Sequence, residues 1–229
     1  TMARQTAISI NTIPIGPLGI IGMPGCEELT DKIDKYLVKW RKTQASEHAE
    51  SIAFFGYQRD TYKIDVSIPR FGSGEGKGVI NESVRGYDIY IVCDVFNYSC
   101  SYDMYGRKVY MSPDDHFADL KRVISALCSK PKRVSVIMPM LYEGRQHKRS
   151  SRESLDCAMA LKELVHLGVE NIITFDAHDQ RVQNAIPDKS FENVMPTYQM
   201  IKAIVNNVDD LSVNPDHLMI ISPDEGAEH

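Results

Sequence analysis

The sequence predicts an α/β protein built on a doubly wound, mostly parallel sheet. Short β-branched segments alternate with amphipathic helical segments along the chain, which is the rhythm of βαβ units. In the clearest example, an apolar run ends at Pro139, a charged loop follows, and Ser150 with Glu153 has the spacing of a helix capping box. This order places the charged loop at the carboxyl end of a buried strand, where open α/β sheets bind ligands.

The composition is that of an ordinary globular protein. The 229 residues are 43% hydrophobic and 25% charged, with a formal net charge of -5, which argues against general nucleic-acid binding. Five cysteines without a C-x-x-C pair indicate a reducing compartment. No apolar run is long enough to span a membrane, and the amino terminus has no secretory signal pattern. We therefore expect a cytoplasmic protein with neither nucleic acid nor membrane as a partner.

The first quarter of the chain predicts a strand, a helix and a second strand. Residues 3–25 are consistent with a short strand and a turn, and residues 42–50 with a polar loop. Residues 62–69 alternate with the period of a strand. Between the first strand and the loop, residues 26–40 form an amphipathic pattern whose apolar stripe we expect in the core: Leu29, Ile33, Tyr36, Leu37 and Trp40.

A glycine-rich segment runs from Phe71 to Gly78. It does not match the Walker phosphate loop, because Gly72 and Gly76 enclose only three residues and Gly78 follows Lys77 where a Ser or Thr is required. The glycines either let the backbone approach a ligand closely or form a hairpin, since residues 79–80 resume a strand-like run.

The rest of the chain continues the alternation. Residues 87–95 predict a central strand, residues 169–175 another, residues 200–208 a helix and residues 218–222 a last strand. Ser112 and Pro113 predict the start of a helix with a buried stripe of Phe117, Leu120, Val123, Ile124 and Leu127. The tyrosine-rich residues 97–110 predict a loop, for which partner contact and plain surface are both open.

Three predicted strand ends carry the polar groups. They are Arg145 with Gln146, Asp176 with His178 and Asp179, and Asp224 with Glu225. A basic loop beside a histidine and carboxylates suits phosphates bridged by a hard cation such as Mg²⁺. Taken singly, each group also has a plain structural interpretation: a solvated basic turn, a hydrogen-bonded loop histidine, and an Asp in a turn or helix cap.

Five segments in order resemble the ribose-phosphate diphosphokinases, also called phosphoribosyl pyrophosphate synthetases. The similarity covers about residues 14–226 and rests on Phe71-Gly-Ser-Gly-Glu75, Glu82-Ser-Val-Arg-Gly86, Pro139 to Gln146, Asp176-Ala-His178 and Ser222-Pro-Asp-Glu-Gly226. The resemblance implies a phosphoribosyltransferase-like fold, with residues 3–227 as an amino-terminal ATP-binding domain and the family's second domain absent.

The resemblance also implies an activity and roles for residues. The family transfers the β,γ-diphosphoryl group of ATP to the 1-hydroxyl of ribose 5-phosphate with Mg²⁺. By this likeness a neighbouring subunit supplies the adenine pocket, which implies a homo-oligomer. The implied nucleotide-binding residues are Phe71, Ser73, Gly74, Glu75, Arg145 and Gln146, and the implied metal-binding residues are His178, Asp224 and Asp176.

The chain also departs from the family pattern. Ser73 replaces the usual Asn or Asp, and His147 stands where an Asp is usual. Nothing in the chain resembles the family's mobile basic catalytic loop or its ribose-phosphate loop. We therefore expect an amino-terminal half, without catalytic residues of its own, that cannot turn over unaided. The alternatives are a non-catalytic regulatory or assembly subunit of the same fold and, less strongly, an unrelated nucleotide-binding α/β protein.

Overall fold

A computed structural model describes residues 14–48 and 58–208, together with positions 214, 219 and 221. The chain divides into two compact units, Thr1–Val194 and Met195–His229. Along the chain the elements are β1 (Leu18–Gly22), α1 (Glu27–His48), β2 (Val66–Ser67), β3 (Val79–Ile80), β4 (Asp88–Val92), β5 (Ser101–Met104), β6 (Arg107–Tyr110), α2 (Pro113–Ala126), β7 (Arg133–Met138), α3 (Asp156–His166), β8 (Asn171–Phe175), β9 (Ser190–Val194) and α4 (Thr197–Asn207). The expected single domain over residues 3–227 stays a prediction.

The first unit is organised around a parallel sheet of five strands. Their order is β1-β4-β7-β8-β9, and every neighbouring pair is parallel. The predicted α/β class with a mostly parallel sheet is therefore confirmed. Because the strands follow one another across the sheet in chain order, the loops after β7 and β8 leave from adjacent positions at the same edge. Strand β9 was not predicted from the sequence.

Both faces of the sheet are covered by helices. Alternate side chains such as Ile89, Ile91 and Val136 join one core that also contains the buried apolar residues of α2 and α3. The opposite side chains, such as Ile20 and Val92, pack with residues of α1. Strands buried on both faces explain why β4 and β7 are nearly continuous apolar runs.

Helix α1 differs from its prediction in length and in orientation. It continues through residues 42–48, which were predicted as a loop, because Lys, Gln and Glu are polar but good helix formers and Ala is the best of all. Ile33 and Leu37 pack on the sheet as expected. Leu29, Tyr36 and Trp40 are exposed, so their predicted place in the core is wrong.

Paired polar groups take the place of those apolar residues under α1. The Thr30 hydroxyl donates to the Cys26 carbonyl oxygen at 2.7 Å. The Asp34 carboxylate accepts from the Tyr62 backbone N–H at 2.7 Å and from the Thr61 hydroxyl at 2.9 Å. Because buried polar groups are tolerated when they are hydrogen-bonded, the face of α1 toward the sheet is less apolar than its sequence stripe suggested.

Two hairpins lie between the central strands. The glycine-rich segment is a hairpin, as one of its two interpretations predicted, because β2 and β3 pair antiparallel. The predicted loop at 97–110 is wrong, since β5 and β6 form an antiparallel hairpin. Its turn has Tyr105 at φ 50° and Gly106 at φ 74°, the positive values of a type I′ turn. Tyrosine is not a usual residue at this position, so the sequence did not signal a turn.

Of the two helix starts that the sequence predicted, one is confirmed and one is wrong. Ser112 caps α2 as predicted, in a reciprocal capping box with Asp115. The Ser150 N–H does donate to Glu153 at 2.8 Å, but α3 begins only at Asp156, so the predicted helix start at Ser150 is wrong. Of the predicted last strand, 218–222, only residues 219 and 221 are described. No helix in the described part of the chain is long and apolar enough to cross a membrane.

Candidate functional site

The loops that follow β7 and β8 adjoin at one edge of the sheet. Their strands pair directly, with Met138 opposite Thr174. His147 Nε2 in the first loop lies 3.4 Å from Asp179 Oδ2 in the second, and the His147 and His178 rings are 5.1 Å apart. Two of the three predicted strand ends therefore meet. The third carries Asp224, which lies outside the described residues.

The loop after β7 is held from within by Gln146. Its backbone N–H donates to the Glu143 carbonyl oxygen at 2.9 Å, and its side-chain amide donates to the Ser154 carbonyl oxygen at 2.8 Å. Arg145 beside it is exposed. The arrangement leaves the Arg145 guanidinium accessible to an anion, while Gln146 fixes the loop that carries it.

Tyr142 anchors the same loop to α2. Its hydroxyl donates to Asp114 Oδ1 at 2.6 Å, and its ring stacks on Phe117 with centroids 4.2 Å apart. A stacked aromatic pair with a charge-assisted hydrogen bond restricts the loop more than either contact alone. The tyrosine had no part in the sequence-based site, because its partners are 25 to 28 residues away along the chain.

The loop after β8 turns sharply at Asp176. This residue has a positive φ of 47°, which Asp tolerates better than most residues. Its N–H donates to the Val194 carbonyl oxygen at 3.1 Å, and the next N–H, of Ala177, donates to Asn193 Oδ1 at 2.9 Å. Strand β9 thus supports the turn, and the side chains of Asp176 and His178 are exposed at the sheet edge.

Asp179 is a residue of this site for which sequence reasoning proposed no separate role. It caps the 3-10 helix Gln180–Ala185 by accepting from the Arg181 N–H. The Arg181 side chain also donates to it, and this bond holds the pKa of the Asp179 carboxyl well below its usual range. The carboxylate therefore stays ionised at neutral pH and is a weaker base than an ordinary Asp. The Asp-x-Arg spacing was the sequence signal for this pair.

The described residues do not form a ready metal cage. Among them, no three His, Cys, Asp or Glu side chains gather where they could hold an ion. Mg²⁺ is commonly held by one or two carboxylates with phosphate and water oxygens completing its shell. Asp176 and His178 are both exposed on the loop after β8, and Asp176 offers the oxygen donor that Mg²⁺ prefers.

The second predicted binding segment is the glycine-rich hairpin, defined here as residues 70–76. The Phe71 N–H donates to the Glu75 carbonyl oxygen at 2.8 Å, and the Ser73 hydroxyl donates to the Glu75 carboxylate at 2.8 Å. The Phe71 ring is 58% exposed. Ser73 thus shapes the hairpin through Glu75, and the Phe71 ring is free to contact a flat apolar ligand.

A buried ion network fixes this hairpin to α2. The Asp119 carboxylate, 2% exposed, accepts from Arg70 Nη2 at 2.6 Å and from Arg122 Nη1 at 2.5 Å. Gly78 is required for the same contact, because a Cβ there would lie 2.7 Å from the Arg122 backbone. Sequence reasoning missed the network, since Arg70 and Asp119 are 49 residues apart. The loops after β7 and β8 are called the strand-end loops below. No hydrogen bond or ion pair within residues 14–48 and 58–208 joins the glycine-rich hairpin to them.

Known proteins resemble this chain in sequence and in fold. The family model for the N-terminal domain of ribose phosphate pyrophosphokinase matches residues 18–168. The chain is 26% identical over 166 residues to a ribose-phosphate pyrophosphokinase of Vibrio parahaemolyticus, covering 71% of the chain and 46% of that protein. It is 27% identical over 165 residues to ribose-phosphate pyrophosphokinase 1 of Schizosaccharomyces pombe, covering 71% of the chain and 37% of that protein.

A crystal structure of phosphoribosylpyrophosphate synthetase from Mycobacterium smegmatis has a similar fold. The TM-score is 0.60 at 19% identity, and the match covers 83% of this chain and 52% of that one. The chain thus spans about half the length, or less, of the relatives that it matches. Since the family model covers more than half of the 229 residues, the chain belongs to the family of ribose phosphate pyrophosphokinase N-terminal domains.

Proposed function

We propose that this chain provides the nucleotide-binding half of a Mg²⁺-dependent diphosphotransferase. The reaction moves the β,γ-diphosphoryl group of ATP to the 1-hydroxyl of ribose 5-phosphate and releases AMP. The observation that carries the proposal is the contact between the loops after β7 and β8, where His147 Nε2 lies 3.4 Å from Asp179 Oδ2. It brings an exposed arginine, a histidine and carboxylates to one edge of the sheet, in a member of the pyrophosphokinase family.

Positioning and charge neutralisation are the main demands of this chemistry. Arg145 binds the ATP polyphosphate through a charge-assisted contact, and Gln146 holds the loop in the shape that presents it. Asp176 and His178, with Asp224 by family likeness, hold Mg²⁺ against the diphosphate. The ion supplies charge neutralisation for the transferred group. Asp179 remains ionised because of Arg181 and orients the His147 ring beside His178.

A homo-oligomer completes the proposed nucleotide pocket. The glycine-rich hairpin is fixed to α2 and not to the loop that carries Arg145. It contains Phe71, Ser73, Gly74 and Glu75. We assign this hairpin to the adenine of a nucleotide bound by a neighbouring subunit. The cytoplasm is the proposed compartment, because five cysteines without a paired motif suit a reducing environment.

The chain by itself does not complete the reaction in this proposal. It matches about half the length of its relatives, and no segment of its sequence resembles the family's ribose-phosphate loop. The purified 229-residue chain should therefore yield no phosphoribosyl pyrophosphate from ATP, ribose 5-phosphate and Mg²⁺. Product formation well above a heat-inactivated control would contradict the proposal that this chain provides only the nucleotide-binding half of the enzyme.

Nucleotide binding tests the site directly. In a calorimetric titration of ATP with Mg²⁺, Arg145→Ala should weaken binding about tenfold, because a hydrogen bond to a charged group contributes about 1.5 kcal/mol or more. Lys130→Ala is the matched control, since it removes one exposed cation just before β7, at the other end of the strand. Equal ATP affinities of Arg145→Ala and wild type would mean that the loop after β7 does not bind the nucleotide. An absence of ATP binding by wild type would favour the non-catalytic subunit.

A further inference from the structure

The hairpin formed by β5 and β6, called here the tyrosine hairpin, has no part in the site described so far. Its turn, Tyr105 and Gly106, and the first two residues of β6, Arg107 and Lys108, are all exposed. The Tyr105 side chain is 79% exposed. These four residues are called the hairpin tip below.

The tip is fastened to the glycine-rich hairpin. The Tyr105 N–H donates to the Gly72 carbonyl oxygen at 2.9 Å. Behind this bond, the Tyr102 ring lies under the Arg70 guanidinium, whose carbon is 4.4 Å from the ring centroid. The two hairpins therefore form one unit, and the bond to Gly72 places Tyr105 beside the exposed Phe71.

Close packing supports the same junction at Gly74. A Cβ on this glycine would lie 2.7 Å from the Met104 sulfur, so the Met104 side chain packs directly against Gly74. Gly74 also has a φ of 91°, which favours glycine independently. The hairpin tip thus has a defined place relative to Phe71.

Tyr105 adopts a strained backbone conformation at this place. Its φ of 50° lies in the left-handed region, which a tyrosine occupies at an energetic cost. Asn followed by Gly is the usual solution for such a turn. Residues held in such conformations tend to occur at ligand contacts, which motivates a functional role for the ring.

We infer that the hairpin tip binds the nucleotide together with Phe71, the Tyr105 ring stacking on the base and Arg107 contacting the phosphates. This inference rests on the proposed function and adds residues to its nucleotide pocket. The chemistry of the tip matches the chemistry of a nucleotide, because aromatic rings stack on bases and cations pair with phosphates. Arg107 lies on the same face of the hairpin as Met104, which packs against Gly74, and its exposed positive charge attracts an anion there.

The test compares ATP with inorganic triphosphate, which has the phosphates but no base. Tyr105→Asn keeps a favoured turn residue, so the fold and its thermal midpoint should be unchanged or improved. Its affinity for ATP with Mg²⁺ should fall about tenfold, the usual order for a lost stacking partner, while its affinity for triphosphate stays within about twofold. Tyr105→Phe should bind both ligands as wild type does.

Paired variants on the same chain sharpen the result. Tyr98→Asn is the matched control, since Tyr98 is 66% exposed but precedes the hairpin, and it should change neither affinity. Arg107→Ala should weaken both ligands by a similar factor, whereas Lys108→Ala, on the opposite face of β6, should weaken neither. Phe71→Ala combined with Tyr105→Asn should cost less than the sum of the two single losses, because both rings contact one base.

Three outcomes overturn the inference. If Phe71→Ala weakens ATP binding and Tyr105→Asn does not, the tip has no contact with the base, and the proposed function stands. If Tyr105→Asn weakens ATP and triphosphate equally, the ring does not recognise the base. If Tyr105→Asn changes only the oligomeric state, the tip is a protein contact. Failure of the proposed function is a different result, in which neither wild type nor Arg145→Ala binds ATP.

Discussion

The glycine-rich hairpin and the strand-end loops hold their ion pairs in opposite ways. Asp119 under the hairpin is 2% exposed and accepts from two arginines. Arg181 on the strand-end loops pairs with Asp179 while its own side chain is 79% exposed. A buried network strongly penalises the loss of one member, whereas an exposed pair contributes little to stability. The hairpin is thus fixed by its charges, and the strand-end loops keep Arg145 and His178 accessible to a ligand.

The largest expected effect comes from breaking the buried network. Asp119→Ala leaves Arg70 and Arg122 without their shared carboxylate, so the free energy of unfolding should fall by about 3 kcal/mol or more. Urea unfolding followed by far-UV circular dichroism measures this. A loss below about 1 kcal/mol would mean that the network is not what fixes the hairpin.

The helices beside the two regions also differ, because α2 has a side-chain cap at its start and α3 has none. Ser112 caps α2, the helix that supports the hairpin, while α3 after the strand-end loop begins without a side-chain cap. Ser112→Ala should therefore cost about 1 kcal/mol of unfolding free energy. Ser150→Ala, six residues before α3 begins, should cost less than about 0.5 kcal/mol in the same urea assay. Equal losses of unfolding free energy for the two variants would indicate that Ser150 caps α3, as the sequence predicted.

The cap of α2 should also depend on pH. Burial acts to raise the pKa of Asp115, but the hydrogen bonds from Ser112 outweigh it, so the pKa of Asp115 is lowered in the folded protein. Its stabilisation is then fully present above the unfolded pKa of about 3.9 and is lost as the pH falls through the lower folded value. Asp115→Asn should lower stability at pH 6 and reduce the pH dependence below pH 4. Parallel pH profiles for the two proteins would contradict this.

The smallest expected effect is at the exposed pair. Arg181→Ala should leave the free energy of unfolding nearly unchanged, because the Arg181 side chain is exposed and solvent screens the pair that it forms with Asp179. Thermal and urea unfolding of this variant beside Asp119→Ala give the direct contrast. A loss as large as that of Asp119→Ala would show that the strand-end loops depend on their charges as strongly as the hairpin does.

Local patterns predicted the elements that local forces determine. The apolar runs of β4 and β7, the cap at Ser112 and the stripe of α2 all follow from neighbouring residues. The contact between Arg145's loop and His178's loop also followed, since consecutive parallel strands place their carboxyl ends side by side. The roles given to Asp176 and Asp224 stay predictions.

Long-range pairing determined what the sequence could not predict. Arg70 meets Asp119 across 49 residues, and no local pattern signals that partnership. Asp34 is buried under α1 because its carboxylate accepts hydrogen bonds from the Thr61 hydroxyl and the Tyr62 N–H. The turn at Tyr105 is maintained by a bond to Gly72 in place of the usual turn residue. In each case a tertiary contact outweighed the local preference.

We propose that Arg145 and His178 face the same Mg²⁺-bound polyphosphate. A double-mutant cycle tests it most directly, with calorimetric ATP affinities for wild type, Arg145→Ala, His178→Ala and the double variant in the presence of Mg²⁺. Groups that contact one ligand complex should be coupled, so we predict that the double loss differs from the sum of the single losses by about 1 kcal/mol. Losses that add to within about 0.3 kcal/mol would place the two residues at separate sites and contradict the account.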